Sequence, residues 1–241
     1  MQDSLYVTLS AQVALERRLT TIADNVANSS TVGFRATQIK FDDVLSGMAS
    51  NPVAFVRTGG TYLSEAKGAF RQTGSAYDFA IRGDAWFSLE TPAGQVVTKD
   101  GRFTLTAEGA LVSVEGYPVL DPGGTAIQID AAAGPITVSP DGFIRQRGQQ
   151  VGALGLFSYQ TGTEFRRYGN SGIVAERPPE PLVDASIAGV HQGYVEDSNV
   201  NPVQEMTRLI MVQRAFEAAS SAIKQTESTF GEAVRTLGGR S

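Results

Sequence analysis

The residue types that most often carry chemistry are sparse in this chain. His191 is the single histidine and there are no cysteines, so thiolate nucleophiles, disulfides and thiolate metal sites have no residues to build them. His191 could serve only a Ser-His-Asp arrangement or a carboxylate metal site. No serine stands in the Gly-x-Ser-x-Gly setting of a nucleophile elbow, and His191 reads as a turn or surface residue. Asp78, Asp84, Asp100, Asp121, Asp130 and Asp141 are scattered and lack the Asp-x-Asp-x-Asp-Gly spacing that wraps a calcium ion. The glycines form neither Gly-x-x-x-x-Gly-Lys-Ser/Thr nor a Gly-x-Gly-x-x-Gly that opens a helix after a strand, so they read as turn residues. Carboxylate pairs for glycoside hydrolysis meet only in three dimensions and leave no mark on spacing. The expectation is a chain with no catalytic site, no cofactor and no metal.

Charge narrows the partners. The chain carries a net charge of −5 over 241 residues, with nearly neutral ends and an acidic centre. No basic stripe is present to displace counterions from phosphates, which argues against nucleic acid. No apolar run approaches the ~20 residues that span a bilayer. Position 1 opens directly into an amphipathic pattern interrupted by Arg17 and Arg18, unlike a secretory signal. A soluble protein is expected.

With so little chemistry, the elements themselves carry the argument. From about Asp3 to Ala27 there is no Gly or Pro, and Leu15, Leu19, Ile22 and Val26 step by four, three and four, with Leu5 and Leu9 a turn apart upstream. Asn28, Ser29, Ser30, Thr31 and Gly33 then stop the helix, and Phe34 is placed to fold back onto its end. Near the other terminus, Leu209, Phe216, Ile223, Phe230 and Leu237 recur every seven residues, with Val212, Ala219, Thr226 and Ala233 three positions further on. Large and small residues thus alternate along one seam, the layout of a coiled-coil-like interface. Asn201 predicts an N-cap, Pro202 the first helical position, Gln204 a reach back toward the cap, and Gly238-Gly239 the stop.

A helix from Pro202 to Leu237 is about 54 Å long, whereas the N-terminal helix is ~38 Å. The shorter helix cannot cover the whole seam, and each large residue left bare forgoes ~1.5–3 kcal/mol of burial. The mismatch favours assembly with neighbouring copies over a self-contained hairpin.

Between the helices the period changes. Phe79 to Ile81, Trp86 to Leu89, Val96 to Thr98, Arg102 to Leu105, Leu111 to Val114, Ile127 to Ile129, Ile136 to Val138 and Gly152 to Tyr159 are short apolar or alternating runs separated by Gly, Pro and Asp. Asp100-Gly101 and Asp141-Gly142 predict tight turns. The fold class is α+β: terminal helices packed as a coiled-coil-like pair (1–34 and 200–241), an extended linker region (35–73 and 188–199) with a short helix from Phe41 to Met48, and an all-β outer domain (74–187).

Several blocks together resemble the axial proteins of the bacterial flagellum, the rod and hook subunits. Ala23-Asp24-Asn25-Val26-Ala27-Asn28-Ser29-Ser30-Thr31-Val32-Gly33-Phe34 is similar to the family's N-terminal signature. Tyr77 to Phe87 resembles the entry to its β domain, and Thr98-Lys99-Asp100-Gly101-Arg102-Phe103 and Gly116-Tyr117-Pro118-Val119-Leu120 resemble the two motifs that follow. Gly193 to Pro202 looks like the lead-in to its C-terminal helix. The blocks stand in family order over nearly the whole chain, with one departure: Ala85 stands where the family often has Gly, which implies local repacking. Thr58-Gly59-Gly60-Thr61-Tyr62 and Lys67-Gly68-Ala69-Phe70, together with chain length, look most like a proximal rod subunit, with a distal rod or hook subunit as competitor.

The resemblance implies a drive-shaft subunit in the periplasm-spanning rod, exported by the flagellar type III apparatus without a cleaved signal peptide. Its partners would be other copies of itself, other proximal and distal rod proteins and that export apparatus, with no nucleic acid and no direct membrane insertion. Leu15, Leu19, Ile22 and Val26 on one helix and Leu209, Phe216, Ile223, Phe230 and Leu237 on the other are the expected assembly interface. A different class of protein, a carbohydrate-binding or hydrolytic β domain dimerised by its helices, would need Tyr77, Trp86, Tyr159 and Tyr168 to share one exposed face.

Overall fold

The computed structural model describes residues 2–45, 54–160, 165–182 and 188–239. The chain divides into two compact units, each assembled from separate stretches of sequence: Met1–Ala27, Thr37–Tyr62 and Asn201–Ser241 form the first, and Asn28–Ala36 and Leu63–Val200 the second.

The first unit contains helix α1 (Gln2–Ala27), strands β1 (Thr37–Leu45) and β2 (Ala54–Leu63), and helix α2 (Pro202–Gly238). The two helices pack against each other, β1 lies along α1, and β1 pairs with β2. The start of α2 follows its residues: Asn201 accepts a hydrogen bond from the Gln204 amide at 3.1 Å and Pro202 opens the first turn. At the other end the Gly239 amide donates to the Arg235 carbonyl. No described helix is long and apolar enough to cross a membrane.

The short helix expected from Phe41 to Met48 does not form where the structure describes it, because residues 41–45 belong to β1; 46–48 lie outside the described residues. The period explains the difference. Thr37 and Ile39 are half-buried while Gln38 and Lys40 are exposed, a two-residue alternation that suits a strand with a partner.

The second unit holds β3 (Phe70–Gln72), β4 (Phe79–Gly83), β5 (Phe87–Thr91), β6 (Gly94–Thr98), β7 (Phe103–Leu105), β8 (Leu111–Ser113), β9 (Ile136–Val138) and β10 (Phe143–Gln146). It continues with β11 (Gln149–Ala153), β12 (Phe157–Ser158), β13 (Arg167–Tyr168), β14 (Gly172–Val174), β15 (Glu180–Pro181), β16 (Ala188–Gln192) and β17 (Tyr194–Glu196). The largest sheet runs β13-β14-β6-β5, a second β11-β10-β9, and β16 and β17 return to pair with β4 and β3. The stretches expected to be extended, 35–73 and 188–199, therefore carry β1, β2, β3, β16 and β17. The core gathers Phe79, Phe87, Phe103, Leu111, Val119 and Ile144 with Ala85, which is fully buried. The Phe87 and Phe103 rings meet edge to face at 5.1 Å.

Of the two expected tight turns, Asp141-Gly142 joins the antiparallel β9 and β10, and Gly142 takes φ +86°. Asp100-Gly101 is instead a corner: β6 pairs with β5 and β14, and β7 with β8. Gly101 is required there because an added Cβ would lie 1.9 Å from the Phe79 carbonyl oxygen.

Candidate assembly interface

The helix pair is pinned where α1 ends and α2 begins. Asn25, 3 % exposed, exchanges two hydrogen bonds with the backbone of Thr37: its amide donates to the carbonyl at 3.0 Å and its oxygen accepts from the N–H at 2.9 Å. The same amide lies 3.5 Å from Glu205 Oε2, while Arg208 binds the other carboxylate oxygen at 2.5 Å. One side chain thus ties the end of α1 to the start of β1 and the first turn of α2. Two helices joined at such a corner and packed on one another run antiparallel, so at equal rise Gln2 falls opposite about position 228 and roughly the last ten residues of α2 overhang.

The residues expected at the interface are placed as follows. On α1, Ile22 is buried, whereas Leu15, Leu19 and Val26 are half-buried at the edge of a face centred on Ala14, Ile22 and Asn25. On α2, Leu209, Phe216 and Ile223 are half-buried around the fully buried Val212. The Phe230 and Leu237 side chains lie outside the described residues. Among the described residues the seam is therefore partly, not wholly, covered within one chain.

A second apolar face escaped the sequence reading. Val203 (75 % exposed), Met206 and Ile210 (53 %) line one side of α2, turned about 120° from Leu209, Val212 and Phe216 at ~100° per residue. Met211 is exposed on the other flank, and Leu9 and Val13 stand nearly opposite the buried face of α1. Val203, Met206 and Ile210 are spaced by three and four, so the pattern was visible; the stronger seven-residue repeat beside it masked it. Contiguous exposed apolar residues on a helix are the mark of an interaction surface.

In the β unit the charged groups serve structure. Arg35 and Glu196, both almost fully buried, pair at 2.7 Å, and Glu196 also accepts from the Gly68 amide at 2.9 Å. Arg35 further donates to the Ala66 carbonyl. Burial holds the Arg35 guanidinium below its usual pKa despite the Glu196 partner. Phe34, expected to fold back on the helix end, is buried with Ala36 and Val200, and the Arg167 guanidinium lies 4.2 Å above its ring. Asn199 accepts from the Ala36 amide at 2.7 Å and donates to the Ala66 carbonyl at 2.7 Å. Glu196 and Asn199 thereby lock the turn after α1 into the β unit.

His191 is exposed between Phe70 and Tyr194, each ring centre 6.2 Å away. Tyr77, Trp86, Tyr159 and Tyr168 do not gather on one exposed face. Tyr77 packs on the main core, Trp86 and Tyr159 on the Leu63, Val97 and Ile173 cluster, and Tyr168 against Tyr117.

The sequence that forms these helices and strands matches known families in three places. Residues 5–35 match the family described as flagella basal body rod protein, 80–146 the flagellar hook protein FlgE/F/G D1 domain, and 191–236 the flagellar basal body rod FlgEFG protein C-terminal. The chain belongs to the flagellar basal-body rod proteins, a structural and non-enzymatic family. Its close relatives within that family are flagellar basal-body rod proteins named FlgF. That of Mesorhizobium japonicum is 58 % identical over 241 residues, covering all of both chains. Those of Rhizobium meliloti and Caulobacter vibrioides are 52 % and 40 % identical, each spanning 99 % of both chains.

Proposed function

We propose that this rod subunit polymerises through its terminal helices, with 1–34 and 200–241 forming an axial core, 35–73 and 188–199 a linker region and 74–187 an outer domain. The observation that carries the reading is the incomplete cover of its helical stripes. Leu209, Phe216 and Ile223 are half-buried in one chain, and Val203, Met206 and Ile210 face away exposed. Burying each such side chain in a neighbour adds ~1.5–3 kcal/mol at full cover, so a stack of copies gains what one chain forgoes. In that stack the Leu15, Leu19, Ile22 and Val26 edge and the Leu209 to Leu237 seam pack in coiled-coil fashion around the export channel. Torque then passes through many small interfaces.

The resemblance to rod subunits supports a place in the proximal part of the periplasm-spanning rod. It also supports contacts with neighbouring rod proteins and export by the type III apparatus without a cleaved signal. The test is replacement of the chromosomal copy by Phe216→Asp or Ile223→Asp. Loss of the subunit from isolated basal bodies and loss of swimming are expected, with the purified variant still showing native β-sheet signal; normal swimming overturns the reading.

A further inference from the structure

We propose that the β unit carries a binding site for one hydroxyl-rich six-membered ring, a sugar, in the cleft between Tyr117, Tyr168 and the Asp100–Arg102 ion pair. The inference stands on the cleft and not on the rod reading. Separate elements converge on it: the corner after β6 supplies Asp100 and Arg102, the turn after β8 supplies Tyr117, β13 supplies Tyr168, and the β13–β14 turn supplies Asn170 and Ser171.

Its size is specific. The cleft holds about 150 Å³, the volume that in an apolar protein cavity admits a single benzene ring. Here the walls are mixed. Gly172 lets β14 close on β6 behind the cleft, since a Cβ there would lie 2.6 Å from Val96 Cγ1. The Tyr117 and Tyr168 rings, both in the lining, stand edge to face, 65° apart with centres at 5.6 Å, and bring aromatic carbon for a sugar's C–H groups beside phenol oxygens for its hydroxyls.

The polar groups suit hydroxyls: the charges of the Asp100–Arg102 pair are matched, and the Glu115 carboxylate in the lining is a further acceptor. Arg102 gives Nε and Nη2 to Asp100 at 2.9 and 2.6 Å, which leaves no bare cation for a phosphate or carboxylate. The Asp100 carboxylate is matched in turn, so an ammonium finds no free partner in that pair. The two phenol oxygens share a single bond of 2.8 Å, and two hydroxyls joined by one bond keep one proton to donate. That bond raises the Tyr117 pKa, keeping the donor protonated. The Thr98 and Ser171 hydroxyls, 3.1 Å apart, likewise share one bond between them. An aromatic side chain of the same size would fill the space and strand these donors and acceptors, at a cost of roughly 1–3 kcal/mol per group left unpaired.

Saturation-transfer NMR on the full-length chain, with glucose, galactose and N-acetylglucosamine offered singly and N-acetyltyrosine amide as the aromatic control, tests this. At least one sugar should receive transfer, with apparent affinity falling about three- to tenfold in Tyr168→Phe and in Asn170→Ala, both melting as the parent does. No transfer to any sugar, transfer equal in the parent and both variants, or stronger transfer to the tyrosine amide overturns the proposal. The last result would assign the cleft to a side chain of a neighbouring protein.

Discussion

The Glu205 carboxylate and the Asn25 side-chain amide lie 3.5 Å apart across 180 residues of sequence, and both side chains are almost completely buried. Asn25→Ala strips the Thr37 backbone of two partners and Glu205 of one. Losing these three contacts costs about 2–4 kcal/mol. The unfolding free energy followed by the helical signal in circular dichroism should fall by that amount, and a change within error would show that water replaces the amide without loss.

The exposed face of α2 can be separated from its inward seam by mutation. Ile210→Asp places a charge on a side chain that is 53 % exposed in one chain, so the isolated protein should keep its stability to within about 0.5 kcal/mol. It should nevertheless be excluded from basal bodies. Phe216→Asp, half-buried, should both lower the melting temperature and block incorporation. Incorporation of Ile210→Asp at parental levels would confine the interface to the seam.

Lys99 is 3 % exposed, donates to the Gly83 carbonyl at 3.2 Å and lies 5.1 Å from the centre of the Trp86 ring. Burial, with the nearby Arg35 charge second, lowers its pKa to about 8 from 10.5. A base whose folded pKa is depressed binds fewer protons folded than unfolded between those values, so its penalty is full below about pH 8 and fades as pH rises to 10.5. The shift corresponds to on the order of 3 kcal/mol. Denaturant midpoints measured across this window should rise more steeply with pH for the parent than for Lys99→Met, which is expected to be the more stable at pH 7. Parallel profiles would remove Lys99 from the account.

Two glycines separate close contact from backbone strain. Gly101 has ordinary φ, but an added Cβ would meet the Phe79 carbonyl oxygen at 1.9 Å, whereas Gly116 has φ +88° with nothing within 4 Å. Gly101→Ala must move a core strand and is expected to cost more than ~4 kcal/mol. Gly116→Ala pays only the left-handed backbone, about 1–2 kcal/mol. Chemical denaturation of both variants gives the order, and a reversed order would contradict the packing at the corner.

What the sequence made legible was whatever a short window encodes. The α2 cap at Asn201, its stop at Gly238-Gly239 and the turn at Asp141-Gly142 depend on a few neighbouring residues and form where the pattern puts them. Partnership across the chain was harder. The strand at 37–45 was read as linker and helix because its partner is a separate stretch of chain that begins only at Ala54, and the Asp100-Gly101 corner looked like a hairpin because its two flanking strands join different sheets. The buried face of α1 was sought at Leu15, Leu19, Ile22 and Val26, yet Ala14 and Asn25 share it with Ile22. A small residue and a hydrogen-bonded amide both allow close approach, and neither registers in a search for bulk. The tyrosine cleft left no local mark, since its walls come from separate stretches of the chain.

The interleaving of the two units governs when the protein can finish folding. The helical unit draws on both extremities and on an early middle stretch, so α1 must wait for the last forty or so residues before it finds α2. A molecule halfway through any aperture narrower than its folded width has its two extremities on opposite sides, and the helical pair cannot close there. Completion is thereby reserved for a chain that has passed entirely to one side.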